Sequence, residues 1–198
     1  MPRTFFPIYS LYIELVDTSP PIWREFWVDG RISLDRLHHI IQAVMGWSDK
    51  HLHEFEIGGQ RYKLPDPEAD LEDLPSKDSR RAKLHEVAET GDEINYMYDY
   101  GDHWQHRIRV LSTENNASWP VSVARVTMGE GACPPEDVGG SSEFGRMLEL
   151  FSSNDEIEQA EAEEFRSWLE GDYDPKMLDI RAINASLDRI AYNKWGEK

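Results

Sequence analysis

Hydrophobic and polar residues alternate near the start of the chain in a pattern typical of half-buried strands. In residues 9–17 (YSLYIELVD), every second residue is apolar and the residues between them are mostly polar or amphipathic. Residues 22–28 form a second candidate strand, and Asp29-Gly30 predicts a tight turn at its end. The first thirty residues therefore predict a pair of strands.

An amphipathic helix is predicted directly after these strands. Its apolar side chains recur with helical spacing over residues 34–45. Ser33 is a favourable N-cap for this helix, and Gly46 is placed to end it. A helix is therefore expected early in a region that otherwise favours strands.

The middle of the chain predicts further strands separated by polar loops. Residues 65–81 are rich in Asp, Glu, Pro, Ser and Lys, which predicts an exposed loop. A glycine-rich loop is expected over residues 129–142. The strand candidates are residues 51–57, 61–64, 83–87, 93–99, 103–111 and 121–128.

Helical patterns dominate the last third, over residues 143–151, 155–169 and 178–192. Strands followed by helices indicate the α+β class. We therefore expect a mostly antiparallel sheet, an early helix after two strands, and C-terminal helices packed on or beside the sheet. We predict one domain over residues 1–198, with a sheet-rich body over 9–128 and a helical part over 141–192.

The chain is strongly acidic, with a formal net charge of −17, so it repels the phosphates of nucleic acids at long range. Direct nucleic-acid binding is therefore not expected, and an unknown protein or small ligand is the expected partner. No apolar run approaches the roughly 20 residues that span a bilayer, so no membrane association is expected. The lone cysteine, Cys133, excludes an internal disulfide and predicts a cytoplasmic location.

Histidines are the sharpest candidates for chemistry. On a strand, His51 and His53 would point to the same side, which is a common spacing of metal ligands. His106, on another predicted strand, could join them, and Asp102 could complete the set around zinc or another divalent transition metal. The alternative is that these histidines are hydrogen-bonded structural residues of the core.

Two loop motifs are candidates for a ligand pocket. YDYGDHWQH, residues 98–106, combines acids, histidines and aromatics around one glycine, and ACPPEDVGG, residues 132–140, presents two acids between prolines and glycines. Cys133 in the second motif is a candidate metal ligand or nucleophile, and a buried inert thiol is the alternative. Arg24 could reach an inward carboxylate such as Asp102. The candidate pocket or binding residues are Arg24, Asp99, Asp102, Trp104, Glu136 and Asp137.

These motifs also carry a family resemblance. In order and spacing, PPIWREFWV, LDRLHHIIQAVMGW, HLHEFEIGG, YMYDYGDHWQHRIRV, ACPPEDVGG and DYDPKMLDIRAIN resemble the plasmid pRiA ORF-three-like family. The resemblance covers roughly residues 9–187 and implies a compact α+β domain. Members of the family are also described as insertion-element passenger proteins of a resolvase-like type, so the resemblance implies an association with mobile elements. It implies no established biochemical role.

Two functions from different classes remain open. The first is a non-catalytic module that binds a protein or small ligand between the two loop motifs. The second is a metal-dependent hydrolase, such as a phosphoesterase or nuclease, in which the histidine and aspartate set holds a metal that activates water. The acids, histidines and tryptophans of the motifs differ from the nucleophilic serine and arginine cluster that a serine recombinase needs.

Overall fold

Eight strands and five helices make up the described part of the chain, in a computed structural model that describes residues 6–65, 75–116, 123–169 and 171–195. The elements, in chain order, are β1 (Phe6–Leu15), β2 (Trp23–Asp29), α1 (Leu34–Met45), β3 (His53–Ile57), β4 (Gln60–Lys63), β5 (Ser76–Asp78), α2 (Leu84–Val87), β6 (Glu93–Tyr98), β7 (Trp104–Asn116), β8 (Ala124–Glu130), α3 (Gly140–Ser152), α4 (Glu156–Trp168) and α5 (Ile180–Asn193).

The strands form one sheet in the order β5-β4-β3-β6-β7-β1-β2-β8. All neighbouring pairs are antiparallel except β4 and β5, which are parallel. The predicted α+β fold, with its early helix after two strands and its C-terminal helices, is confirmed. The order also places β6 between β3 and β7, which decides where the histidines lie.

The core follows the alternation seen in the sequence. Leu11 and Ile13 of β1 and Phe26 of β2 are fully buried, in one cluster with Leu37 and Ile41 of α1. Their neighbours in sequence on the same strands point to the other face of the sheet and are at least partly exposed. One face of the sheet is therefore packed beneath helices, and the other face is polar and at least partly exposed to solvent.

The early helix begins and ends as its sequence predicts. The Ser33 hydroxyl accepts a hydrogen bond from the Arg36 backbone N–H at 3.1 Å, which satisfies one of the free donors of the first turn. Gly46 ends the helix in the left-handed region, with φ of 113°, where its N–H bonds to the Gln42 carbonyl. Buried polar residues, His38 and Gln42 among them, interrupt the apolar face of α1.

Three predicted segments need correction. The strand predicted over residues 83–87 is wrong: α2 occupies it, because backbone bonds from Leu84 to Ile32 and from His85 to Gly30 tie it to the loop before α1. The loop predicted over 65–81 contains β5, and its residues 66–74 lie outside the described residues. The strand predicted from residue 51 begins at residue 53. Residues 121 and 122 of another predicted strand are also outside the described residues.

Helix α5 packs against the outer strand of the sheet. The Asn184 side chain accepts a hydrogen bond from the Val126 N–H at 2.9 Å and donates one to the Val126 carbonyl at 3.0 Å. An amide side chain thus takes the place of a neighbouring strand at this point of β8. None of the helices in the described ranges is long and apolar enough to cross a membrane.

Candidate functional site

Four ionisable side chains from distant parts of the sequence meet at the end of β6. His51 comes from the bend before β3, and Asp99 directly follows β6. Glu136 and Asp137 come from the loop between β8 and α3. We call these four residues the His51 centre. It brings together the two loop motifs that the sequence singled out.

The imidazole of His51 faces carboxylate oxygens on several sides. Its Nε2 lies 2.9 Å from Asp137 Oδ1, 3.5 Å from Asp99 Oδ2 and 3.7 Å from Glu136 Oε2. This nitrogen is shielded from solvent, yet it makes no hydrogen bond with any described residue, because the short approach to Asp137 is not aligned as an N–H···O bond. One ligand atom each from His51, Asp99 and Asp137 lies within 4.8 Å of the other two.

Protein donors hold two of the carboxylates in place. Asp99 Oδ1 accepts a hydrogen bond from the Gly101 N–H at 2.8 Å. Glu136 Oε1 accepts from the backbone N–H of Ser48 at 2.6 Å, from its hydroxyl at 2.9 Å, and from the Tyr98 hydroxyl at 3.1 Å. Burial and the nearby Glu136 carboxylate raise the pKa of Tyr98, so its hydroxyl keeps its proton. Asp99 has one oxygen anchored and the other near the imidazole, whereas Glu136 Oε2, which also lies near the imidazole, additionally accepts from the Tyr98 hydroxyl at 3.3 Å.

Asp102 joins the two loops that supply these acids. Its Oδ2 accepts a hydrogen bond from the Gly139 N–H at 3.0 Å. A Cβ atom at Gly140 would lie 2.6 Å from the Asp102 carbonyl oxygen, and Gly140 has a left-handed φ of 80°. Only glycine therefore allows this close approach. Asp102 fastens the loops together instead of joining the predicted metal ligands.

A second histidine cluster lies inside the core on the other side of Tyr98. Gln42 Nε2 donates to the Tyr96 hydroxyl at 3.0 Å, and that hydroxyl lies 2.8 Å from His38 Nδ1. His38 Nε2 lies 2.7 Å from Asp49 Oδ1. The carboxylate accepts, so Nε2 carries the proton and Nδ1 accepts from the tyrosine. We call His38, His39, Asp49 and His53 the His38 network.

The remaining members of the network are also tightly placed. His39 Nδ1 lies 3.0 Å from Asp49 Oδ2. The rings of His38 and His53 stack with centroids 3.4 Å apart and planes within 7° of parallel. Burial lowers the pKa of His38 and lowers that of His53 to about 3. Burial alone would raise the pKa of Asp49, but the hydrogen bonds from the two histidines lower it overall.

The structure does not bring the four predicted metal ligands together. Because β6 lies between β3 and β7, His53 and His106 are a full strand apart, and His51 precedes its strand. His106 uses both ring nitrogens: Nε2 accepts from Trp47 Nε1 at 3.2 Å, and Nδ1 lies 3.0 Å from a backbone carbonyl. Burial lowers the pKa of His106 to about 4. It is a neutral core residue.

Arg24 and Trp104 are also placed in the core. Arg24 is 1% exposed and donates to the carbonyls of Trp23, Glu130 and Gly131 at 2.6–2.7 Å. The expectation that it pairs with the carboxylate of Asp102 is therefore wrong. Trp104 is 1% exposed, and its indole packs near other buried aromatic rings. It is therefore a residue of the core.

Cys133 is half-buried in the loop that carries Glu136. Desolvation raises the pKa of its thiol well above the ordinary value. The thiol therefore stays protonated at neutral pH, which is the inert behaviour expected of a structural cysteine.

A cavity of about 520 Å³ opens beside Asp137, between α3 and α4. Asp137 is the most exposed member of the His51 centre, with 57% of its side chain accessible. It is therefore shared by the centre and the cavity. The cavity is lined by Asp137, Val138, Arg146, Glu161, Glu164, Phe165 and Trp168.

The sequence indicated some of these residues and not others. Asp99, Glu136 and Asp137 stood out because they lie in loop motifs beside glycine and proline. His38 is not among the candidates that the sequence indicates, although it is 1% exposed and takes part in a polar network. The residues of α4 that line the cavity are not among those candidates either.

Known proteins match nearly the whole chain. The family model for "Plasmid pRiA4b ORF-3-like protein" matches residues 7–182. The uncharacterized protein y4hQ of Sinorhizobium fredii is 32% identical over 195 residues, covering 96% of this chain and 95% of that protein. The crystal structure of MM3350 from Methanosarcina mazei Go1, a protein of unknown function, shares 31% identity with a TM-score of 0.75, covering 90% of this chain and 98% of that one. The chain belongs to the plasmid pRiA4b ORF-3-like family.

Proposed function

We propose that this protein is a ligand-binding module that holds a divalent cation at the His51 centre. The observation that supports this most is the shielded Nε2 of His51, which faces three carboxylate oxygens without an aligned hydrogen bond. A protonated imidazole in a direct ion pair would point its N–H at one oxygen. A cation shared between nitrogen and oxygens needs no such alignment.

The separations of the ligand atoms support the same proposal. Around a tetrahedral ion with bonds of about 2.0–2.2 Å, neighbouring ligand atoms lie about 3.3–3.6 Å apart. The oxygens of Asp137, Asp99 and Glu136 lie 2.9, 3.5 and 3.7 Å from the imidazole nitrogen, which brackets that range. One imidazole and two or three carboxylates suit zinc or manganese. His51, Asp99 and Asp137 are the proposed ligands, with Glu136 as the fourth.

A ligand could reach this cation from the side of Asp137. That side chain is 57% exposed and borders the cavity, whereas Asp99 and Glu136 are 9% and 14% exposed. A protein or small ligand would therefore approach over Asp137. The net charge of −17 supports the prediction that the partner is not a nucleic acid. The association with mobile elements stays a prediction from the family resemblance.

Metal-dependent hydrolysis is the second candidate, and the same exposed side favours it. A divalent ion there would keep a position for water, and such ions make water nucleophilic near neutral pH. A screen of phosphoester substrates with added zinc or manganese tests this candidate. Turnover that disappears in Asp99→Asn but persists in Asp49→Asn would favour the hydrolase over the binding module. An inactive protein that still binds the metal would leave the binding module as the function.

Metal binding itself is tested by elemental content and titration of untagged protein with zinc and manganese. We expect about one ion per chain in the wild type, and affinity at least about 10-fold weaker in Asp99→Asn, because losing a direct ligand should cost no less than losing a residue that orients one. Asp102→Asn is the matched control, because the same change three residues away removes a carboxylate outside the centre. Equal affinity in wild type and Asp99→Asn, or no binding in the wild type, would refute the proposal.

A further inference from the structure

We propose that the cavity between α3 and α4 binds an ammonium group carried on an apolar body. This deepens the proposed function by giving the chemical class of the ligand, and it rests on that function only for the ligand's position beside the cation. The cavity holds about 520 Å³, which suits a small molecule or a single side chain.

One face of α4 forms the main wall. Glu161, Glu164, Phe165 and Trp168 are spaced i, i+3, i+4 and i+7, so they project from the same side of the helix. This face carries two carboxylates followed by two aromatic rings. Trp168 remains 47% exposed although it lies on the inner side of the cavity.

An exposed indole beside a carboxylate is suited to a cation. Glu164 makes no ion pair or hydrogen bond with any other residue in the described ranges, and it lies one helical turn before Trp168. Ammonium groups bind the faces of aromatic rings, most strongly tryptophan, and a neighbouring carboxylate adds an ion pair. The apolar body of the ligand would then pack on Phe165.

The charges in the cavity argue against an anionic ligand. Arg146 is the one cation among the residues that line the cavity, and it is already engaged by Glu161 at 2.6 Å and by Glu143 at 3.5 Å. Asp137 and Glu164 add two further negative charges to the lining. A divalent ion in the His51 centre does not reverse this sign, because Asp99, Glu136 and Asp137 together carry −3 against +2.

The electrostatic field of the whole protein also favours a cationic ligand. A net charge of −17 raises the local concentration of cations around the whole molecule. This general attraction does not select a site. The pairing of Glu164 with Trp168 supplies the selection.

The test is isothermal titration with three probes of one shape: phenethylamine, 2-phenylethanol and 3-phenylpropanoate. We expect phenethylamine to bind at least about fivefold more tightly than the neutral alcohol, and the anion not to bind. Equal binding of amine and alcohol, or no amine binding at millimolar concentration, would overturn the inference.

Variants locate the site. Trp168→Ala and Glu164→Gln should each weaken phenethylamine binding about fivefold or more. The matched controls are Tyr192→Ala, an exposed aromatic on α5, and Glu149→Gln, an exposed acid on α3, and both should bind as the wild type does. Controls that lose binding to the same extent would place the amine elsewhere and refute the assignment. Unfolding curves of each variant confirm that the fold is intact.

A blocked tripeptide, acetyl-Gly-Lys-Gly-amide, distinguishes two sources of the same group. Tighter binding of the peptide than of phenethylamine identifies a lysine side chain of a partner, and the reverse identifies a free amine.

Zinc titrated into the same variants separates this inference from the proposed function. Zinc binding without amine binding refutes the inference alone, and amine binding without zinc binding refutes the cation centre alone.

Discussion

Tyr98 lies between two histidines, His38 and His51, whose ring nitrogens differ in how they are paired. Its ring centroid is 5.8 Å from that of His51 and 6.5 Å from that of His38. In the His38 network, both nitrogens of His38 have protein partners, and a tyrosine and a carboxylate set its tautomer. In the His51 centre, the shielded nitrogen faces three oxygens and bonds to none of the described residues.

We expect this difference to separate a structural cluster from one that binds a ligand. Polar groups in a core are normally paired, because an unpaired one costs about 1–3 kcal/mol. Within the His38 network, His38 and Asp49 are already paired with each other, although the buried Nε2 of His53 has no hydrogen-bond partner among the described residues. At the His51 centre, the imidazole nitrogen and the carboxylate of Asp99 lie close together without a hydrogen bond. This arrangement is what the proposed cation between them would require.

The largest expected effect is on stability, in the His38 network. His38→Ala should lower the free energy of unfolding by about 2–4 kcal/mol, because it opens a cavity and removes one of the hydrogen-bond partners of Tyr96 and of Asp49. His51→Ala should cost less than about 1 kcal/mol, since its nitrogen makes no hydrogen bond. Urea unfolding followed by circular dichroism measures both. Equal losses would remove the distinction between the clusters.

The next largest effect is stabilisation by metal. Zinc at 100 times its dissociation constant should raise the free energy of unfolding of the wild type by about 2.7 kcal/mol. His51→Ala should abolish this gain, and His39→Ala, which removes a partly exposed histidine of the other cluster, should retain it. The readout is urea unfolding with and without zinc. A gain lost in His39→Ala and kept in His51→Ala would move the metal to the His38 network.

Acid should destabilise the protein through its buried histidines. The folded pKa values are about 3 for His53 and about 4 for His106, below the unfolded value near 6.5, so the unfolded state binds more protons between these limits. Their full contribution is present above about pH 6.5. As the pH falls, each histidine should remove up to about 1.4 kcal/mol per pH unit until its folded pKa is reached.

Urea unfolding at pH 7.5, 6.0 and 5.0 measures this slope. The slope should be shallower in His53→Gln, which removes one of the buried histidines whose pKa is lowered. Stability that is constant or increases on acidification would contradict the assignment of these histidines as neutral core residues.

The smallest effect is expected at Asp102. Asp102→Asn keeps an oxygen that can accept the hydrogen bond from Gly139, so stability should change by less than about 0.5 kcal/mol. Metal affinity should stay within about twofold of the wild type, because Asp102 is outside the His51 centre. Calorimetric titration with zinc checks this. A tenfold loss would return Asp102 to the set of metal ligands that its sequence context first favoured.

Local patterns predicted the elements well because each depends on neighbouring residues. The alternation along β1 and the cap at Ser33 need only a few positions of sequence to be recognised. Asp99 and Asp137 could be chosen as candidate site residues for a similar reason, since both lie in loops rich in turn-forming residues. Both have left-handed φ values near 60°, which aspartate tolerates better than most residues.

The order of the strands was not available from such patterns. The pairing of β6 with β7 is local, but that β6 also pairs with β3, and so separates His53 from His106, depends on segments about 40 residues apart, and no local signal encodes it. For the same reason the sequence did not show that Tyr96 and Asp49 meet His38. Some residues of the candidate site could therefore be predicted from local motifs, but which of them lie together depends on the order of the strands.

The Asn184 side chain has a consequence for how copies of this protein behave in concentrated solution. An uncovered strand edge is a template on which another chain can form a new strand, which leads to polymers. Asn184 occupies the N–H and the carbonyl of Val126 on the edge strand β8. A chain truncated before α5 would expose those groups. Helix α5 therefore blocks part of this strand edge from pairing with the sheet of another molecule.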